Sequence, residues 1–486
     1  MRRLRQLAER TPAGRERYAD LLRALAITMV VLGHWGISVI GYDRVGRPTG
    51  HSALGDLPWA WPLTWVAQVM PVFFLVGGYA NAASLNARRR RGGSTTGWLV
   101  DRSARLVRPT TALLVVLAAG AAVASLRGAD PAQVRTVVWF ATIPLWFLVA
   151  YLVVVPLTPP MYALHRRFGL AVPVALVGLV ALGDLGRLLG PAGLATGNYL
   201  FGWLAVHQVG FAWYDTRTPA GPPGDATPGP PASPAAPPGN LAGGNARGLR
   251  RRRLPLSRRA GVALLAGGLA ALVLLTVLGP YPVAMLNVPG ARLDNAAPPS
   301  LALLAVAAAQ LGLILLLRVP AGRWLRRPGP WQAVIAVNAV VLTVFLWHLT
   351  AAVLLVGLLD ALGVLPTPPV GSAAWWGWRI PWLLALTVVL AALVAVFGPI
   401  EARTRRPPGP PTHDTGGSTG RGGHPGRSRT ALAVAGYAGV VAGLLLNSLT
   451  RKAAPEPLGL PAPALAAYLA GAGVLRLLRS GWGTRG

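Results

Sequence analysis

The chain has 486 residues, 53% of them hydrophobic and only 13% charged. That balance excludes an ordinary soluble protein, whose surface needs about a quarter of its residues charged. The formal net charge of +31 would suit nucleic acid, but the basic residues are concentrated in alternate connecting segments. Cysteine is absent, which removes a disulfide framework, a thiolate metal site and a cysteine nucleophile.

In chain order, an arginine-rich start (MRRLRQLAERTPAGRERYAD) precedes an apolar run long enough to span a bilayer, and is read as a retained signal-anchor helix. Stretches of crossing length recur at 20–40, 61–86, 108–126, 137–157, 169–189, 196–214, 259–279, 300–318, 332–359, 376–398, 430–449 and 463–479. Only helices satisfy their backbone groups internally in lipid, so the expected fold is an all-α polytopic membrane protein of about twelve transmembrane helices.

The basic residues cluster in 1–19, 86–107, 158–168, 215–258, 319–331, 399–429 and 480–486, and the intervening loops carry only scattered charges. The positive-inside rule then puts both termini in the cytoplasm of a cell-membrane protein. Residues 215–258 and 401–429 are rich in Pro and Gly and are expected as disordered cytoplasmic linkers. The domain reading is a membrane core over 1–400, the second linker, and two additional helices over 430–479.

Arg23 and His34 stand eleven residues apart in the first span, which places both on one helix face about 16 Å apart. Ionisable groups at that depth are costly and usually face a bundle interior. A snorkelling Arg23 beside a tolerated histidine, with Arg23 paired to Asp20, is the plain competing view. Arg102 and Arg105 share a helix face in DRSARLVRP, His348 lies in VFLWHLTA, and MPVFFLVGGYANAASL carries the adjacent Gly77 and Gly78. His207 reads as structural or acceptor-lining, and Trp375, Trp376 and Trp378 fit an interfacial belt. No His, Asp and Glu cluster has metal-ligand spacing, so no metal is expected.

These four patterns, in their order along the chain, resemble the membrane-bound acyltransferase 3 family over about 1–400. The first-helix Arg and His match Arg23 and His34, the Arg-x-x-Arg motif matches Arg102 and Arg105, FFLVGG resembles the second-helix motif, and LWHL resembles a late His-bearing helix. The resemblance implies a ten-helix core that moves an acyl group, acetyl above all, from cytosolic acyl-CoA to a hydroxyl of a carbohydrate, glycolipid or other envelope component. It implies His34 as general base, with Arg23 nearer the cytoplasm helping to hold acyl-CoA or to stabilise the developing charge, Arg102 and Arg105 on the phosphates of the acyl-CoA co-substrate, and His348 and Asp20 against substrate. Two positions differ: Gly77 replaces a customary serine, and WFLVAYLVV lacks the acidic residue of many sugar-modifying members. A secondary transporter or lipid flippase with an intramembrane Arg/His relay is the alternative, as is an idle partner in an envelope-assembly complex. No nucleic-acid partner is expected.

Overall fold

A computed structural model describes residues 15–217, 253–287, 293–404 and 425–480. The longer helices among the described residues are α1 (Arg17–Ile37), α2 (Met70–Arg90), α3 (Thr95–Leu126), α4 (Pro131–Thr142), α5 (Leu145–Phe168), α6 (Ala171–Leu189) and α7 (Asn198–Arg217). After 253 come α8 (Arg258–Val273), α9 (Leu301–Trp324), α10 (Pro328–Ala339), α11 (Val341–Ala361), α12 (Ala373–Thr404), α13 (Pro425–Leu449) and α14 (Ala462–Arg479). Among the described residues the strands form one antiparallel hairpin, β1 (Ser38–Tyr42) with β2 (Pro48–Ser52), pairing Ser38 with Ser52 and Tyr42 with Pro48. It follows α1 directly.

Among the described residues ten helical segments are long and apolar enough to cross a bilayer. Large apolar side chains such as Val174, Leu384 and Val388 lie on the outside, 63–70% exposed, which suits lipid and not water. This is an all-α, multi-pass membrane protein. The other two expected spans are helices too, yet neither meets that requirement: α7 carries Asn198, His207 and Gln208, and α14 ends in Arg476 and Arg479.

Several boundaries differ from expectation for local reasons. The stretch 137–157 is broken between α4 and α5, where Pro144 has no N–H for the helical ladder, and the crossing segment is Leu145–Phe168. The stretch 332–359 is broken at Val340, between α10 and α11. There the Glu401 carboxylate accepts from the backbone N–H and hydroxyl of Thr343, at 2.8 and 2.9 Å, and caps the start of α11. Helix α3 begins at Thr95, so Arg102 and Arg105 lie within it, its first turn capped by Ser94. Of the expected linkers, 215–217 and 425–429 belong to α7 and α13, and residues 218–252 and 405–424 lie outside the described residues, as does the arginine-rich segment 1–14.

Buried polar ties hold the bundle in register. Asp184 accepts from the Tyr281 hydroxyl (2.9 Å), Leu301 N (2.8 Å) and Asn198 Nδ2 (3.0 Å), joining α6, α7 and the start of α9. Helices α2 and α7 touch through glycine: a Cβ on Gly78 would lie 2.0 Å from His207 O, and one on Gly210 would lie 2.2 Å from Leu75 O. His207, fully buried, meets Asn81 Nδ2 at 3.1 Å and so ties α7 to α2. Helices α13 and α14 form a hairpin against α3, where Tyr437 and Tyr468 donate to the carbonyls of Leu99 (3.2 Å) and Val107 (3.0 Å). Arg135 of α4, fully buried, fastens the hairpin's loop through bonds to Asn447 Oδ1 (2.7 Å), Asn447 O (2.8 Å), Thr450 O (3.1 Å) and Gly459 O (3.1 Å).

Candidate active site

The lipid-facing stripe of α1 carries Leu25, Met29 and Leu32, which are 56%, 37% and 46% exposed. At 100° per residue, Arg23 and His34 point roughly the opposite way, into the bundle, together with the buried Ile27. His34 itself is half-buried. It stands in the last turn of α1, which ends at Ile37, nearer the helix end than the expected span of 20–40 places it.

His34 meets the other predicted histidine. The fully buried His348 of α11 approaches it with Nε2 3.0 Å from His34 Nδ1, the rings stacked at 5.0 Å. Trp35 Nε1 donates to His348 O at 3.0 Å and pins α1 to α11 at this level. The tautomers follow from one fixed acceptor. His348 Nδ1 lies 2.6 Å from the Phe345 carbonyl, so it must carry the proton and donate. Neutral His348 then offers Nε2 as an acceptor, His34 Nδ1 donates to it, and the lone pair of His34 is left on Nε2. A carbonyl, a histidine and a second histidine thus fix a base.

On the arginine-rich side of this pair lies a cavity of about 410 Å³, lined by Arg15, Arg23, Arg102 and Arg105. Three predicted residues, from α1 and α3, therefore converge on one chamber. Arg15 joins them, and the sequence reading did not single it out. Asp20 does not line the cavity: buried, it sits between Arg15 Nε (2.6 Å) and Arg23 Nη1 (3.4 Å) and aims both guanidinium groups. The chamber ends in aromatic rings, with Phe73, Phe147 and Phe345 in its wall. Phe345 packs 5.5 Å from Phe147 on one side and 6.1 Å from the His348 ring on the other. Phe345 thus belongs both to the chamber wall and to the packing around His348.

Tyr151 of α5 also lines the chamber and accepts from Arg102 Nη2 at 3.0 Å. Its ring lies where a side chain at 77 would go, since a Cβ on Gly77 would stand 2.9 Å from Tyr151 Cε2. The glycine that departs from the customary serine is thus the partner of this tyrosine. Glu401 reaches the chamber from α12 and ties its lining to the start of α11. A larger cavity, about 590 Å³, is lined by apolar side chains and Gln310, with no ionisable group, and offers no chemistry of this kind. Among the described residues no group of three His, Asp or Glu could hold a metal ion.

A multi-pass membrane protein with an inward-facing, hydrogen-bonded imidazole pair above a chamber of guanidinium groups has the parts of a group-transfer enzyme. Residues 16–400 match the family model of the acyltransferase 3 type, an acyltransferase domain, and the chain belongs to that family. It is a membrane acyltransferase. No curated protein and no solved structure matches the chain. The family match ends before α13, so the hairpin of α13 and α14 lies beyond it.

Proposed function

We propose that the protein transfers an acyl group, acetyl above all, from acyl-CoA to a hydroxyl of a carbohydrate, glycolipid or other envelope component. The observation that carries this reading is the four-arginine chamber whose aromatic end leans on the His34–His348 pair. Arg102 and Arg105, with Arg15 and Arg23, supply the cations that the pyrophosphate and 3′-phosphate of CoA require. The chamber faces the cytosol in this reading, and both termini lie there in the cell membrane, because the basic segments share that side.

The chemistry then balances without a further reactant. The acceptor oxygen attacks the thioester carbonyl as His34 Nε2 takes its proton, and the imidazolium is steadied by its Nδ1–H bond to His348. The C–S bond breaks, the thiolate leaves, and His34 returns the proton to sulfur as CoA thiol. His348 holds the ring and its tautomer.

Purified protein in sealed vesicles, given radiolabelled acetyl-CoA outside and a membrane-lipid or sugar acceptor, tests the reading. Label on the acceptor with matching release of free thiol is expected. Accumulation of intact substrate inside the vesicles, with no thiol released, would establish the transporter instead.

A further inference from the structure

Helix α3 presents two faces. Arg102, Arg105 and Leu106 line the chamber described above, and Ala104, Val107 and Arg108, on the far side, line a separate groove against α14. The groove encloses about 250 Å³, and its walls bring Arg108 together with Arg476 and Arg479. Its floor is apolar, with Val107 and Leu475 buried at the helix contact. The two helices run antiparallel here, since Arg479 reaches toward Asp101 at 4.0 Å while Tyr468 bonds Val107 O.

Among the described residues Asp101, at 4.0 Å from Arg479, is the acidic group that reaches the charges of this groove. Among the described residues Arg108 and Arg476 have no ion-pair or hydrogen-bond partner, and the Asp101 near Arg479 is held more closely by Arg88, at 3.0 Å. Basic residues that only mark the arginine-rich side need no common cavity, yet these three, from two helices, rim one. Leu469 and Leu477 of α14 are 40% and 48% exposed, so the helix that forms one wall also faces lipid.

The geometry points to a binding site for one anionic phospholipid of the leaflet on the arginine-rich side, its phosphate among Arg108, Arg476 and Arg479 and its upper chain along the apolar floor. Charge complementarity selects the occupant: a zwitterionic lipid brings no net charge to three cations, and a free phosphate makes no use of the floor. The site stands apart from the donor chamber, and its α14 wall, with Arg476 and Arg479, lies beyond the family-matched segment, while Arg108 belongs to it.

The test uses the full chain, stripped of lipid in neutral detergent, with binding followed by native mass spectrometry against dioleoyl phosphatidylglycerol, dioleoyl phosphatidylcholine and inorganic phosphate. Phosphatidylglycerol is expected to be retained at one site and to be displaced by neither of the others. Arg108→Gln with Arg476→Gln should weaken retention about thirtyfold, the loss of two interfacial charges. Arg166→Gln with Arg167→Gln, basic residues of the same side outside the groove, should leave retention unchanged, and both double variants should keep the unfolding temperature of the lipid-free protein. Equal retention of phosphatidylcholine, displacement by inorganic phosphate, or equal losses in the two double variants would overturn the proposal.

Discussion

Gly77→Ala is a one-carbon change whose effect can be worked out from the packing. The new Cβ would lie 2.9 Å from Tyr151 Cε2 and 3.4 Å from its hydroxyl. Carbon atoms rest at about 3.5–4.0 Å, so the ring must retreat by roughly 0.6 Å or more. Phe74 and Phe147 stand 6.1 and 6.0 Å away by centroid and limit where it can go. The Arg102–Tyr151 bond, now 3.0 Å, would stretch past the reach of a hydrogen bond. Bonds to charged groups contribute about 1.5–3 kcal/mol, and each 1.4 kcal/mol is tenfold in affinity. Equilibrium binding of radiolabelled acetyl-CoA to the purified protein should therefore weaken about tenfold to a hundredfold. Tyr151→Phe, which removes only the hydroxyl, should weaken it comparably. Because both variants sever one contact, the double variant should lose far less than the product of the two. Multiplicative losses, or unchanged binding in Gly77→Ala, would refute the linkage of Gly77, Tyr151 and Arg102.

His348→Ala removes the acceptor of His34 Nδ1–H and should slow acyl transfer about a hundredfold while acetyl-CoA affinity holds; initial rates beside binding curves decide it, and an affinity loss with normal turnover would contradict the positioning role. Arg135→Gln strips donors from buried carbonyls of the α13–α14 loop and should cost about 3–5 kcal/mol of stability, seen as a clear fall in unfolding temperature; a shift worth under about 1 kcal/mol would contradict the clasp.

What could be read from the chain alone was set by local periodicity. The eleven-residue spacing of Arg23 and His34 correctly gave them one inward face, because the opposite stripe of Leu25, Met29 and Leu32 is as legible as they are. Arg102 and Arg105 were legible as an i,i+3 pair that shares the chamber. The break at Pro144 could have been read from the proline itself. The break at Val340 could not, since its cap is Glu401, some 60 residues on and unremarkable in its own helix. The contact between His34 and His348 spans 314 positions and has no local signal; each histidine was found separately. The pairing of Asp20 with Arg23 was legible from their i,i+3 spacing, while the closer pairing with Arg15, which lies before the first helix, was not. The Gly77 departure was visible, but its meaning depended on Tyr151 from another helix.

The account turns on His34 Nε2 as the base that frees the acceptor hydroxyl. Its most direct test is His34→Ala, purified in parallel with the unaltered protein and assayed for acetyl-CoA binding and for thiol release with transfer of label. Binding within about threefold of normal, with turnover down by at least about a hundredfold, is the predicted pair of results. Turnover at the unaltered rate would remove the imidazole from the chemistry and contradict the account.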